Sequence, residues 1–329
     1  MMQAQTATKS PARKPARKVS KKAAPVKATV KAAPRDVCAE ITAKLVEALE
    51  KGVAPWVKPW NGDAGVPGMS GMPRNAITGK TYRGANVLVL WCAGYSDPRW
   101  VTFQQALSLG GCVRKGEHGQ TICWWSPVTR KEEKAEGTEG EATETPRTRL
   151  VCRAYTVFNV SQCEGLKLDE IQAPPVVDVT SENVADATAA RVGAKVKFGG
   201  SRAYYSPAAD YIGMPVLAAF EDEGAYTATL YHELFHWTGA PGRCDRKFGT
   251  RFGDSAYAFE ELVAEIGSAF ACAHHGVAGR LQHAEYLGHW AKVLKADKFA
   301  IFTAAREAEK ALRMLVPSME PKDEAPETT

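Results

Sequence analysis

Apolar residues first recur with a regular period after Asp36. Every fourth position there is apolar, which places a hydrophobic stripe on one helical face, and a glycine follows where a helix would end. The stripe consists of Val37, Ile41, Leu45 and Leu49, and the glycine is Gly52. The pattern predicts an amphipathic helix that packs one face against a core.

Two later segments, 120–126 and 149–159, are rich in β-branched and aromatic residues and predict strands. Between them, residues 131–146 carry six Glu among Thr and Gly, with no apolar periodicity. This intervening stretch predicts a flexible insertion that joins the two strands.

Helical spacing returns in the second half of the chain and predicts several packed helices. One predicted helix is expected to stop at Gly239 and Pro241. The apolar positions of this helix are Tyr226, Leu230 and Leu234. The apolar positions of the next predicted helix are Leu262, Ile266, Ala269 and Phe270. Two more helices are predicted between 287 and 312. The fold class predicted for both halves is α+β.

Changes in composition along the chain predict two domains with tails. The predicted parts are a disordered basic tail at 1–35, a first domain at 36–165, a linker at 166–180, a second domain at 181–316 and a disordered tail at 317–329. The basic tail holds ten Lys and Arg and no Asp or Glu. Such a tail either attracts phosphates without sequence preference or only solubilises the chain.

The overall composition is that of a globular protein, with 45% hydrophobic and 24% charged residues in 329. No apolar run approaches the ~18 residues that a membrane helix requires, so no membrane partner is expected. None of the eight cysteines falls in a CxxC pair, and the N-terminal residues contain no apolar h-region that would predict secretion. These features predict free thiols and a cytoplasmic location.

The strongest chemical signal is the pentapeptide from His232 to His236. Helical spacing of four places both imidazoles on one face, where they can share a Zn²⁺ ion. Glu233 then lies beside the metal as the predicted catalytic base. Mn²⁺ or another divalent ion is an alternative cofactor. Two unrelated histidines on a surface helix are the plainer interpretation.

A catalytic zinc site needs a third protein ligand. We predict Glu261 as that ligand, and Glu265, one turn later, as the carboxylate that orients a ligating imidazole. Glu260 remains the competing ligand, because the sequence does not fix the helix register. The alternative is that all three glutamates form a solvated helix face.

Six of the eight tryptophans fall between residues 56 and 125, interleaved with Lys and Arg. Aromatic faces stack on exposed bases while cations follow the backbone, so this pattern is typical of single-stranded nucleic acid binding. The alternative is that most of these tryptophans belong to the core. The candidate DNA-binding residues are Trp56, Lys58, Trp60, Arg74, Asn75, Lys80, Tyr82, Arg83, Arg114 and Lys115.

Several of these motifs, in this order, resemble the ArdC-type antirestriction proteins of conjugative plasmids and the N-terminal part of plasmid TraC primases. The resemblance spans about residues 36–315. In the first half it rests on residues 55–60, 73–75, 78–86, 100–106, 113–117 and 157–159, and in the second half on 205–207, 210–212, 232–239 and 260–265. The basic tail and the Glu-rich insertion depart from the family pattern, and the primase region of the longer relatives is absent.

The resemblance implies a bacterial cytoplasmic protein with an N-terminal domain that binds single-stranded DNA and a C-terminal zincin-like metallopeptidase domain. Its implied function is protection of incoming plasmid or phage DNA from restriction. Primer synthesis is not expected. An alternative is an active zinc peptidase that cleaves a host protein, with an extended peptide lying on an edge strand at 203–215. A zinc nuclease is a weaker third hypothesis, because few clustered carboxylates accompany the motif.

Overall fold

The computed structural model describes residues 35–54, 56, 71–130, 147–168, 183–248, 255–277 and 287–316. The candidates Lys58 and Trp60, the Glu-rich insertion and nearly all of the two predicted tails lie outside these ranges. None of the helices in the described ranges combines the length and hydropathy of a transmembrane span. All eight cysteines are free thiols, as predicted.

Within the described ranges, the N-terminal half contains three α-helices and six strands. In chain order they are α1 Val37–Glu50, β1 Arg74–Asn75, α2 Ala85–Trp91, β2 Arg99–Thr102, α3 Phe103–Ser108, β3 Cys112–Val113, β4 Gln120–Arg130, β5 Arg147–Asn159 and β6 Cys163–Glu164. One sheet has the order β1-β2-β5-β4, and β3 pairs with β6. The predicted strand pair forms a long antiparallel hairpin, because cross-strand pairing extends both strands outward to Arg130 and Arg147.

The described part of the C-terminal half contains five α-helices and three strands. In chain order they are α4 Val184–Val192, β7 Val196–Phe198, β8 Tyr204–Ser206, β9 Tyr211–Met214, α5 Glu223–Thr238, α6 Ser255–His274, α7 Leu287–Ala296 and α8 Ala300–Leu315. The small sheet has the order β7-β9-β8, which leaves β8 at an edge. Mixed helices and strands in both halves confirm the predicted α+β class.

The predicted first helix forms with its cap and its buried stripe. Asp36 accepts a hydrogen bond from the backbone amide of Ala39 at 3.0 Å and caps the N-terminus of α1. Gly52 has a φ of +79°, which suits the turn that leaves the helix. All four predicted stripe residues are buried.

Helix α1 packs against the C-terminal helices rather than within its own half alone. The Thr42 hydroxyl donates to the carbonyl of Lys298 at 2.7 Å, and the Trp56 ring meets Trp290 edge-on with centroids 5.2 Å apart. Residues from Asp36 onward therefore form one compact unit. The two halves share a hydrophobic core, which runs from Leu45 in α1 to Leu312 in α8.

Close packing of α5 against α6 positions the candidate site. Leu230, Leu234 and Ile266 are fully buried between these helices. A Cβ added at Gly267 of α6 would lie 2.1 Å from Cδ1 of Phe235 in α5. Glycine at this position therefore lets the two helices approach closely enough for side chains of α6 to reach the histidines of α5.

Candidate metal centre

Helix α5 brings the two histidines of the pentapeptide together. Asp222 caps its N-terminus by accepting from the amide of Ala225 at 2.7 Å. One helical turn separates His232 and His236, and their Nε2 atoms are 3.1 Å apart. Two nitrogens on one tetrahedral ion, each bound at ~2.0–2.1 Å, would be about 3.3 Å apart, so the observed spacing fits a shared ion.

Glu261 of α6 completes a three-residue cluster. Its Oε2 atom lies 3.5 Å from Nε2 of His232, and its Oε1 atom lies 3.6 Å from Nε2 of His236. The three potential ligand atoms all lie within 4.8 Å of one another, and no other such cluster occurs in the described ranges. Two imidazoles and one carboxylate form the donor set of many catalytic zinc sites.

Glu260 and Glu261 take different places around His236. Glu260 Oε1 is 3.1 Å from Nδ1 of His236, on the opposite side of the ring from Glu261. Glu260, Glu261 and Glu265 are 3%, 7% and 2% exposed, which excludes the solvated helix face considered as an alternative. In this register Glu261, and not Glu260, faces the Nε2 atoms.

Arg246 holds Glu260 in place through two hydrogen bonds. Its Nε and Nη2 atoms donate to the two carboxylate oxygens of Glu260 at 2.8 Å each, and Nη2 also donates to the carbonyl of Phe235 at 2.5 Å. A Cβ at Gly239 would lie 2.9 Å from Nη2 of Arg246, so glycine leaves room for this approach. No periodicity or motif in the sequence indicates this role of Arg246, which lies in the loop after α5.

Glu265 and Glu233 border the cluster less closely. Glu265 Oε1 is 3.8 Å from Nδ1 of His232, longer than the hydrogen bond expected for a carboxylate that orients the imidazole. Glu233, 7% exposed, follows His232 directly in α5. Its negative charge contributes to raising the pKa of both histidines.

The electrostatics of the site favour a cation. Burial alone would lower the pKa of His236, but the hydrogen bond with Glu260 and the charge of Glu261 raise this pKa to about 9. Burial would likewise raise the pKa of Glu261, yet the hydrogen bond with His232 and the charge of His236 lower it to about 2. Four glutamates at the site are buried, and among the described residues the buried guanidinium of Arg246 contacts one of them, Glu260. A divalent ion would neutralise this excess of negative charge, so the residues fit a metal.

Trp56 was predicted to stack on DNA bases, but the structure buries it. It is 3% exposed and packs against Trp290, because the segment after α1 folds onto the C-terminal helices. Trp91 and Trp100 are also buried, at 5% and 2%. For these three tryptophans the core interpretation is the right one.

Four other DNA-binding candidates share one turn. The amide of Asn75 donates to the carbonyl of Lys80 at 2.9 Å, and the amide of Tyr82 donates to Pro73 at 2.8 Å, which places Arg74 in the same turn. The Asn75 side chain stabilises this turn by accepting from the amides of residues 77 and 78. Lys80 is exposed, while Arg74, Asn75 and Tyr82 are partly buried.

The remaining cationic candidates are Arg83, which directly follows Tyr82, and two residues after β3. Arg83 is exposed and lies 3.7 Å from Glu309 of α8. Arg114 and Lys115 are exposed on the turn after β3, where Arg114 donates to Glu117 at 2.6 Å. Exposed aromatic residues occur instead on the β4–β5 hairpin, where Trp124 is 43% and Tyr155 36% exposed.

Two family models match the chain, one for each half. Residues 35–158 match the N-terminal domain of the anti-restriction factor ArdC. Residues 183–307 match a zincin-like metallopeptidase. The second match contains the whole His232–His236–Glu261 cluster.

Two relatives are similar to this chain over most of its length. An uncharacterized protein y4eC of Sinorhizobium fredii is 40% identical over 243 residues, which cover 72% of this chain and 78% of that protein. The DNA primase TraC of Escherichia coli is 38% identical over 262 residues, which cover 74% of this chain but only 24% of the primase.

Two crystal structures of the antirestriction ArdC protein from plasmid R388 share the fold at 37% sequence identity. The metal-free structure has a TM-score of 0.69 and the Mn(II)-bound structure one of 0.65. Each alignment covers 85% of this chain and 97% of the other. The chain therefore belongs to the ArdC family of antirestriction proteins, with a zincin-like metallopeptidase domain in its C-terminal half.

Proposed function

We propose that this protein binds single-stranded DNA through its N-terminal half, protects incoming mobile-element DNA from restriction and holds a divalent metal ion in its C-terminal half. The observation that carries the proposal is the buried cluster of His232, His236 and Glu261, joined in one compact unit to a half that exposes Lys80, Arg83, Arg114 and Lys115. Cations on exposed loops are the groups that contact phosphates.

His232 and His236 would hold the ion through Nε2, and Glu261 through its carboxylate. Zn²⁺ is the ion we propose, because two imidazoles and a carboxylate suit it, while the Mn(II)-bound R388 relative supports Mn²⁺ as the alternative. The ion supplies Lewis-acid polarisation of an oxygen in the site. Glu260 holds Nδ1 of His236, which leaves Nε2 directed into the cluster.

A second candidate function is an active peptidase that acts on a host protein. The observation that favours it is Glu233, whose carboxylate is buried next to the cluster and would accept a proton from an attacking water molecule. Strand β8 lies at the edge of the small sheet and would pair with an extended peptide. The hydroxyl of Tyr226 in α5 donates to Asp186 at 2.7 Å, so it is not free to stabilise an oxyanion in such a reaction.

The substitution Glu233→Gln separates the two functions. The variant keeps the proposed ligands and the DNA-binding half, so we expect metal content, melting temperature and DNA affinity to match those of the wild type. Proteolysis of any host substrate should be abolished. DNA protection that survives in this variant supports the binding function, whereas loss of protection with unchanged DNA affinity supports the peptidase.

Charge reversal tests the DNA-binding half directly. Lys80→Glu and Lys115→Glu should each weaken binding to single strands and reduce the slope of log affinity against log salt. Arg306→Glu, at a side chain of α8 that is 73% exposed, is the matched control outside the candidate loops. If both lysine variants bind single strands as tightly as the Arg306→Glu control and the wild type, this placement of the DNA is refuted.

A further inference from the structure

We infer that one face of the β4–β5 hairpin is a stacking platform for the bases of single-stranded DNA, with Trp124, Tyr155 and Arg153 as its contact residues. The inference rests on the proposed DNA-binding function and gives it a location. These three residues were not among the candidates drawn from the sequence, which favoured other tryptophans and the cationic loops.

The strand register places the three residues on the same face. Trp124 pairs directly with Arg153, and Ile122, two positions earlier, pairs with Tyr155. Directly paired residues of an antiparallel ladder share a face, and so do residues two positions apart. Trp124, Arg153 and Tyr155 are therefore neighbours on one side of the hairpin.

This face changes from buried to exposed along its length. At its base, Ile122 and Val157 are 8% and 1% exposed and belong to a small core cluster with Leu90 and Trp100. Tyr155, which pairs with Ile122, is 36% exposed, and beyond this pair Trp124 is 43% exposed and Arg153 is also exposed. Large aromatic rings are thus presented to solvent on a strand pair whose base is fixed in the core.

Charge distinguishes the two faces of the hairpin. Neither β4 nor β5 contains an acidic residue, and the register places Arg153 directly opposite Trp124, on the same face. The opposite positions, which include Trp125 and Cys152, carry no charged residue. A face that combines aromatic rings with cations alone complements a polyanion with exposed bases.

The platform is continuous with the cationic turn described above. Tyr82 packs against the cluster at the base of the face, which includes Ile122 and Val157. The exposed residues Lys80 and Arg83 flank Tyr82 closely in sequence. A strand that stacks on Trp124 and Tyr155 can therefore extend its phosphates toward this turn. Duplex DNA cannot use the platform in this way, because its bases are already stacked inside the helix.

The test is a fluorescence titration of the full chain with single-stranded and duplex oligonucleotides. Stacking should quench tryptophan emission, and Trp124→Ala should weaken single-strand affinity by about 5- to 150-fold, the range for loss of one stacking contact. Trp125→Ala is the matched control, because Trp125 occupies the next position on the opposite face, where its ring meets Phe302 of α8. This control should retain the wild-type affinity.

Two further variants keep the test informative if Trp124→Ala is poorly folded. Trp124→Phe retains an aromatic ring and should preserve most of the affinity while losing much of the quenching. Arg153→Gln should reduce the slope of log affinity against log salt by about the amount that one phosphate contact contributes. If wild-type protein binds single strands and Trp124→Ala, Arg153→Gln and Trp125→Ala all bind equally well, the platform is refuted. If wild-type protein does not bind single strands, the proposed function itself fails.

Discussion

Arg246 contacts both carboxylate oxygens of Glu260 at 2.8 Å, and this pair is closed off from solvent. The side chains are 5% and 4% exposed. Glu260 in turn contacts Nδ1 of His236, so a residue ten positions after the second histidine sets the orientation of its ring. Arg246 is therefore a positioning residue for the metal centre.

Removal of Arg246 should destabilise the fold and weaken the metal site together. Arg246→Met leaves the Glu260 charge buried without the guanidinium that contacts both of its oxygens, so we expect a loss of about 3–5 kcal/mol in the free energy of unfolding. Metal affinity should fall by roughly 10–100-fold, as for other outer partners of ligands. Urea unfolding and metal titration measure the two effects.

The double variant Arg246→Met with Glu260→Gln is the control for this prediction. It removes the unpaired charge, so most of the unfolding free energy should return while metal affinity stays low. A double variant as unstable as Arg246→Met would contradict an electrostatic cause.

Glu260 and Glu261 are adjacent, yet their substitution should have unequal effects. Glu261→Gln removes the proposed ligand, so metal affinity should fall further than the ~10–100-fold expected for Glu260→Gln, which alters only the partner of His236. Metal content after dialysis, with titration of the chelator-treated proteins, measures the difference. A larger loss of metal affinity in Glu260→Gln than in Glu261→Gln would contradict the assignment of Glu261 as the ligand.

Trp56 should behave as a core residue. Trp56→Ala opens a cavity against Trp290 and should cost about 3–5 kcal/mol in the free energy of unfolding. The affinity of the folded fraction for single strands should be unchanged. Trp290→Ala is the matched variant from the other side of the contact. The double variant should lose less unfolding free energy than the sum of the two single losses. A fall in DNA affinity at constant folded fraction in Trp56→Ala would show that Trp56 contacts DNA.

Regular periodicity made some of this structure predictable. The stripe of α1 and the spacing of His232 and His236 depend only on local helical geometry, so the sequence was enough to predict them. The choice between Glu260 and Glu261 required the rotation of α6 against α5, which the close contact at Gly267 sets. The sequence shows both glutamates but not that rotation.

Contacts between distant segments explain what the sequence could not reveal. Trp56 is buried because Trp290, far along the chain, covers it. Trp124 and Trp125 are adjacent and chemically identical, but strand alternation directs them to opposite faces of the hairpin. Arg246 reaches Glu260 only because the loop after Gly239 folds back over the end of α5.

A pH dependence is expected from His275, at the end of α6. Burial, followed by the charges of His274 and Arg191, lowers the pKa of His275 to about 4 from 6.5. Its ring is parallel to that of Tyr231, with centroids 5.9 Å apart, and its Nε2 atom has no hydrogen-bond partner in the described ranges. The neutral ring is therefore the form that the fold accommodates.

The unfolded chain binds a proton at His275 more readily than the folded protein does. The contribution of the neutral ring to the free energy of unfolding is therefore complete above pH 6.5 and is lost as the pH drops toward 4. Because the ring is only partly buried, solvent screening reduces the effect to about 1–2 kcal/mol. The His275→Gln variant should not show this loss of unfolding free energy between pH 6.5 and 4. Urea unfolding of both metal-free proteins across this pH range measures the difference, and parallel curves would exclude His275 as the cause.

The central claim is that the ordered N-terminal half, and not the basic tail, binds single-stranded DNA. The most direct measurement is a salt-dependent fluorescence titration with single-stranded and duplex oligonucleotides, on the full chain and on a chain that begins at Arg35. We predict that the shortened protein keeps its preference for single strands, with a smaller salt slope because the nine Lys and Arg of residues 1–34 are lost with the tail. Loss of single-strand binding in the shortened protein would contradict the claim and reduce DNA contact to a nonspecific property of the tail.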